Sequence, residues 1–374
     1  MKKIKMADLH SQYLRIKDEI DSAIQEVLET TAFIQGPQVS QFTKALAEYI
    51  NSKSVIPCAN GTDALQVAMM ALELKPGDEV ILPVHTYVAT AEVIALLGLT
   101  PVFIDVQEDT FNMDVRQLKG KITSKTKAIV PVHLYGQCAD MEPILKIGRE
   151  HNLYVIEDVA QALGAVYTFS DGRKLHAGTM GIIGTTSFFP SKNLGCFGDG
   201  GAIFTQDKDL AEKIKIMTNH GQRIKYHHEV IGVNSRLDTI QAAILRVKLN
   251  YLNEYEHNRQ EAAAYYDRAL SQIPLVKIPS RSKNSTHVFH QYTLRVEQRD
   301  QLKDYLEGNG IPTMIYYSVP LHFQKAYQQP GFGEGSFPVT EKLSKTVLSI
   351  PIHTELKLEE QDFICRMIKS FYNG

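Results

Sequence analysis

The chain has 374 residues, long enough for a substantial core and for two domains more than one, and its 44% hydrophobic and 22% charged composition is that of an ordinary globular protein. Forty basic against forty-two acidic residues leave a formal charge of −2, so neither a global basic excess for nucleic acid nor a tail of like charge is present. Four scattered cysteines, Cys58, Cys138, Cys196 and Cys365, have no CxxC spacing and make no disulfide framework, which fits a reducing cytoplasm.

The opening MKKIKMADLHSQYLRIKDEI becomes charged and helical behind its two early lysines, so it reads as structure and not as a signal peptide. Apolar positions at Leu14, Ile16, Ile20, Ala23, Ile24 and Val27 predict a helix over residues 9–30. From about 54 to 206, short β-branched runs (SVIPCA, EVILP, TPVFIDV, AIVPVHL, YVIEDV, GAIFT) alternate with helical stretches such as DALQVAMMALEL and VATAEVIALLG. Apolar strands separated by helices imply a mostly parallel sheet covered on both faces, with ligands bound beyond the carboxyl ends of the strands. The most apolar window, 80–106, is interrupted by Pro83, His85, Glu92 and Pro101, and reads as strand–helix–strand, not a membrane span. Residues 236–272 predict one or two long helices, and about 275–374 mixes strands such as HQYTLRV with helices such as RDQLKDYLEGN. The expected organisation is a large α/β domain over 1–250 and a smaller α+β domain over 251–374, with a long helix across the boundary.

Three segments can carry chemistry. In Ala59-Asn60-Gly61-Thr62-Asp63 a strand ends, a glycine turn follows and a helix begins. Backbone N–H groups of Gly61, Thr62 or Asp63 could hold a phosphate there, or Thr62 or Asp63 could merely cap the helix. In VIEDVAQ an apolar strand runs into Glu157 and Asp158. A buried carboxylate needs a partner, and a pyridinium N–H of the kind found in pyridoxal phosphate (PLP) is one, the alternative being a cap on the next helix. In SFFPSKNLGCFGDGG, Lys192 lies in an apolar, glycine-rich setting that would lower its pKa and suit it to imine formation, unless it is a surface-turn lysine. GCFGDGG lacks the GxGxxG spacing, and no GxxxxGK[ST] or HExxH occurs; His227-His228 lies in the polar stretch QRIKYHHE, with no cysteine or acidic cluster to complete a metal site.

Taken in order, CANGTDALQ, HTYVATAEVIALLG, HLYGQCADM, IEDVAQALGA, SFFPSKNLGCFGDGGAIFT, GVNSRLDTIQAAIL and YYSVPLHFQ resemble the DegT-type nucleotide-sugar aminotransferases, essentially end to end. The resemblance implies an α/β fold of PLP type I (aspartate-aminotransferase-like) and a PLP cofactor that cycles through pyridoxamine phosphate. It implies Lys192 as the Schiff-base lysine and proton shuttle, Asp158 at the pyridine nitrogen, Gln161 at the phenolic oxygen, Ala160 and Tyr87 on the two ring faces, and Gly61, Thr62, Asp63 and Ser187 at the phosphate. Asn234 would reach the phosphate of a neighbouring subunit, which implies a homodimer with shared sites. Arg236, Tyr316, Tyr317 and His322 would meet the substrate. Relatives that dehydrate sugars carry histidine in place of the lysine, so Lys192 favours transamination. L-Glutamate is the implied donor. CANGTDALQ, YGQCAD and GVNSRLDT are most similar to enzymes that aminate UDP-2-acetamido-3-oxo-hexuronates for O-antigen and lipopolysaccharide biosynthesis. Tyr316 stands where many relatives carry histidine, which keeps UDP-3-oxo-GlcNAc and dTDP-3-oxo-6-deoxyhexoses open as acceptors. A PLP-binding regulatory protein without turnover is the alternative from another class.

Overall fold

The computed structural model describes residues 4–328 and 331–373, so the first three residues of the opening segment lie outside the described residues. Seven strands form the central sheet: β1 (Ser54–Cys58), β2 (Glu79–Pro83), β3 (Thr100–Ile104), β4 (Thr126–Ile129), β5 (Tyr154–Asp158), β6 (Ile183–Ser187) and β7 (Gly201–Thr205). Their order is β1-β7-β6-β5-β4-β2-β3. β7 runs antiparallel to both neighbours, and the remaining pairs are parallel. The reversal has a local cause. A parallel return needs a crossover helix, and the 188–200 connection between β6 and β7 contains none.

Alternation along the strands builds two cores. Ile81, Ile104, Ile129 and Val155 face the helices Pro37–Ile50, Met141–Glu150 and Thr239–Leu249. Val80, Leu82, Phe103, Ala128 and Ile156 face the helices Gly61–Ala71, Ala89–Leu96 and Lys208–Thr218. Successive side chains point to opposite faces, so strands covered on both sides are apolar throughout. That is why six of the seven read as continuous apolar runs in the sequence.

A third core surrounds the antiparallel sheet of β8 (Val276–Lys277), β9 (Tyr292–Val296) and β10 (Val347–Ile350), packed by the helices Leu252–Leu270, Arg299–Gly308 and Leu358–Asn373. Ile4 belongs to it, so the N-terminal segment crosses over to this core. The expected helix over 9–30 is two helices, Leu9–Arg15 and Lys17–Thr30, broken at Ile16, whose backbone leaves the helical region. Among the described residues no helix is long and apolar enough to cross a membrane.

Candidate active site

The carboxyl ends of β1, β5 and β6 open into a cavity of about 660 Å³. At one end β1 gives way to the helix Gly61–Ala71. The capping residue is Asn60, not Thr62 or Asp63: its side chain accepts the Asp63 N–H at 2.8 Å and its carbonyl accepts the Ala64 N–H at 3.1 Å. Among the described residues the N–H groups of Gly61 and Thr62 have no partner at the positive end of the helix, an arrangement suited to an anion; the Asp63 amide is already engaged. Glycine is required at 61, because a Cβ there would lie 2.7 Å from the Ser187 Cβ.

In the middle, Asp158 ends β5 with 6% of its surface exposed. Its Oδ2 accepts from Thr90 Oγ1 at 2.8 Å and its Oδ1 from the Ala160 N–H at 3.1 Å. An ionised carboxylate has about four acceptor positions, so capacity remains for a donor in the cavity. Glu157, one residue earlier, is wholly buried and is held by His133 and three backbone N–H groups.

Beyond β6 the chain turns within a bonded loop, in which the Lys192 N–H donates to the Phe189 carbonyl at 2.8 Å and Asn193 Nδ2 donates to the Val288 carbonyl at 3.0 Å. Burial pushes the Lys192 amine down to about 8, against an opposing pull from the Asp158 charge. His290, on the same wall, is held well below its ordinary value by burial and by the charges of Lys192 and Arg259. Gln161 is oriented at both ends: Oε1 accepts the Tyr135 N–H at 2.7 Å and Nε2 donates to the Tyr317 hydroxyl at 3.2 Å. Tyr87 is not a core residue; it is 58% exposed, with its ring 6.2 Å from that of Tyr317.

The cavity therefore brings together Gly61, Thr62, Asp63, Tyr87, Asp158, Ala160, Gln161, Ser187, Lys192, Tyr316 and Tyr317. Three expected residues lie elsewhere. His322 is buried between Phe323 and Phe337 and bonds Glu341, so it does not line the cavity of its own chain. Asn234 is exposed outside it, and Arg236 is half-buried, with no side-chain partner among the described residues. Sequence reasoning missed Thr90, Tyr135 and His290. A threonine inside a helix pattern and a histidine before a strand carry no signal of their own. The residues present fit PLP: a buried carboxylate with spare acceptor capacity, an amine of lowered pKa near it, and two free N–H groups at a helix end.

A model of the DegT/DnrJ/EryC1/StrS aminotransferase family matches residues 14–369. The chain is 46% identical over 371 residues to the pleiotropic regulatory protein of Geobacillus stearothermophilus, covering 99% of this chain and 98% of that one. It is also 46% identical over 362 residues to the UDP-2-acetamido-2-deoxy-3-oxo-D-glucuronate aminotransferase of Pseudomonas aeruginosa, covering 97% and 98%. The solved structure of ntda from Bacillus subtilis with bound cofactor PMP matches with a TM-score of 0.91 at 32% identity, covering all of this chain and 86% of that one. The fold is the expected α/β fold of PLP type I.

Proposed function

This chain belongs to the DegT/DnrJ/EryC1/StrS aminotransferase family and is a PLP-dependent nucleotide-sugar aminotransferase, and we propose that it moves an amino group from L-glutamate to a UDP-2-acetamido-3-oxo-hexuronate. The observation that carries the chemistry is the meeting of Asp158, Lys192 and the free Gly61 and Thr62 N–H groups in one cavity. Two observations support the acceptor: the identity to the Pseudomonas enzyme over nearly its full length, and an arginine, Arg236, that pairs with no carboxylate among the described residues and, lying outside the cavity of its own chain, would meet the sugar carboxylate in the site of a second copy.

When bound, PLP would supply an electron-withdrawing ring and a carbonyl able to carry the amino group between donor and acceptor. The chain's own residues do the rest. Gly61, Thr62 and Ser187 bind the phosphate at the helix end. Asp158, oriented by Thr90 and the Ala160 N–H, holds the proton on the ring nitrogen. Lys192 Nζ moves the proton at the reacting carbon: burial lowers its pKa to about 8, toward the working pH, which suits it to act as base and then as acid. Gln161, fixed by Tyr135 and Tyr317, orients the ring oxygen, and Tyr87 covers the cavity mouth. The exposure of Asn234 supports a role at the phosphate of a second copy in a homodimer with shared sites. In this reading the reaction runs in the cytoplasm and supplies an amino sugar for O-antigen assembly.

A second reading, a PLP-binding regulator without turnover, is favoured by the identity to the Geobacillus protein. One experiment separates the two. The absorbance of the purified protein is followed on adding L-glutamate, then UDP-2-acetamido-3-oxo-hexuronate, UDP-3-oxo-GlcNAc or a dTDP-3-oxo-6-deoxyhexose, with products weighed by mass spectrometry. A bound chromophore that glutamate leaves unchanged supports the regulator. Amination of the uncharged sugars alone would sink the uronate assignment. Arg236→Gln should raise KM for the carboxylated acceptor by roughly ten- to a hundredfold, the worth of a hydrogen bond to a charge, and leave KM for UDP-3-oxo-GlcNAc unchanged.

A further inference from the structure

Lys248 lies on the helix Thr239–Leu249, outside the cavity, with 2% of its surface exposed. Among the described residues no carboxylate pairs with it. Burying an ammonium without a counter-charge is expensive, so the contacts it does make are informative. Its Nζ donates to the Gly195 carbonyl at 2.5 Å and lies 5.6 Å from the centre of the Phe197 ring. Gln241, seven residues earlier and so on the same helix face, holds Phe197 at both backbone ends: Oε1 accepts its N–H at 2.8 Å and Nε2 donates to its carbonyl at 3.4 Å.

The segment gripped in this way is the one that carries Lys192. The loop is bonded within itself, Lys192 N–H to the Phe189 carbonyl and Cys196 N–H to the Phe188 carbonyl, each at 2.8 Å. It is folded so tightly that a Cβ on Gly195 would lie 2.4 Å from the Pro190 carbonyl oxygen. A loop this rigid moves as a unit, and the Gly195 carbonyl is where the helix holds it.

We propose that Lys248 is a positioning residue for Lys192: acting through the Gly195 carbonyl, it sets how deeply the Lys192 amine sits in the cavity and so keeps that amine poorly hydrated. The proposal rests on Lys192 as the cofactor lysine for its catalytic consequence only. The groups facing Lys248 are the Gly195 carbonyl, the Phe197 ring, the Cys196 thiol and the Arg259 guanidinium. Burial lowers its own pKa to about 8, Cys196 opposing and Arg259 adding to the effect, so the hold weakens as the pH rises through that value.

The test compares the full-length protein with Lys248→Met and Lys248→Arg. Lys192 in the cofactor-free protein is labelled with trinitrobenzenesulfonate across the pH range and quantified by peptide mass spectrometry. The wild-type half-point is expected near pH 8. In Lys248→Met the amine gains water, and the half-point should rise by about one unit toward the free-lysine value; Lys248→Arg should restore it. In the cofactor-loaded protein the pH titration of the visible band should move the same way, and kcat should fall while KM for the nucleotide sugar holds. The labelling uses neither cofactor nor substrate, so it reports on Lys248 whether or not the sugar-aminotransferase reading survives. A folded Lys248→Met protein with the wild-type half-point overturns the proposal. If that variant does not fold, Lys248→Gln, which keeps a donor without the charge, replaces it. Failure of both to fold also overturns the proposal, since Lys248 would then serve general stability.

Discussion

Glu157→Gln tests how the fold holds Asp158. The two Glu157 oxygens accept four hydrogen bonds: Oε2 from His133 Nε2 at 2.9 Å and the Gly178 N–H at 2.8 Å, Oε1 from the Met180 and Gly181 N–H groups at 2.7 and 2.6 Å. None of these donors can yield. Three are backbone, and His133 Nδ1 accepts the Ala139 N–H at 3.0 Å, which fixes the imidazole hydrogen on Nε2. A glutamine amide satisfies two of the four and turns its own N–H groups on the other two, whichever way it flips. Two buried donors left unpaired cost about 1–3 kcal/mol each, or roughly 2–6 kcal/mol together. An unfolding entropy of about 2.1 cal/mol/K per residue over 374 residues converts this to a fall in Tm of roughly 3–8 °C. The damage should reach the site as well, because the Asp158 N–H donates to the Pro131 carbonyl and its carbonyl accepts the His133 N–H, both at 3.0 Å. We expect kcat/KM to drop at least about tenfold, for a displacement worth 1.4 kcal/mol or more. Thermal melts and steady-state kinetics measure both. A variant that melts within about a degree of wild type, with the same kcat/KM, would refute the claim that these fixed donors define the end of β5.

Other expectations follow from the same geometry. Lys192→Met should abolish transamination and keep the fold. The folded Lys192 pKa, about 8, lies below its reference of 10.5, so between those values the unfolded chain holds a proton that the folded chain has lost. Rising pH should therefore stabilise the cofactor-free wild type relative to Lys192→Met by up to about 1.4 kcal/mol per unit; a urea-unfolding difference that stays flat across that window contradicts the burial. Gly61→Ala, whose Cβ meets Ser187 at 2.7 Å, should push the helix end off β6 and weaken cofactor binding by about tenfold or more, 1.4 kcal/mol on the binding scale; an unchanged Kd by titration would count against the phosphate site. Thr90→Val removes a hydroxyl donor from Asp158 and should destabilise by about 1.5–3 kcal/mol, whereas Thr90→Ser should lose little; equal denaturation midpoints for the two would show that the 2.8 Å bond does not matter.

What could be read from the chain follows from how each element is held. β1 to β5 and β7 are legible because each is apolar on both faces, and the loops at their carboxyl ends hold Asp158 and the Gly61 turn for the same topological reason. β6 was not legible, although it lies between β7 and β5 and ends at Ser187. Its sequence, IGTTS, is small and polar, and its burial is tolerated only through tertiary contacts. Thr185 Oγ1 donates to the Glu157 carbonyl at 3.1 Å, Thr205 Oγ1 returns to the Ile182 carbonyl at 2.9 Å, and Gly184 has no Cβ where one would lie 2.2 Å from the Gly178 carbonyl oxygen. The same distinction runs through the site. Lys192 among glycines and Asp158 at a strand end stand out from the local pattern as candidates, but by themselves they read equally as a surface-turn lysine and a helix cap, and it is the series of motifs resembling the DegT-type aminotransferases that singles them out. Thr90, Gln241 and Lys248 violate nothing, since each is an unremarkable helix residue until the fold brings it to a carboxylate or a carbonyl that needs a donor. The candidate groups Asp158 and Lys192 are therefore visible locally, whereas the donors that contact Asp158 and the Lys192 loop come from a distance in the chain, 68 residues from Thr90 to Asp158 and 53 from Lys248 to Gly195.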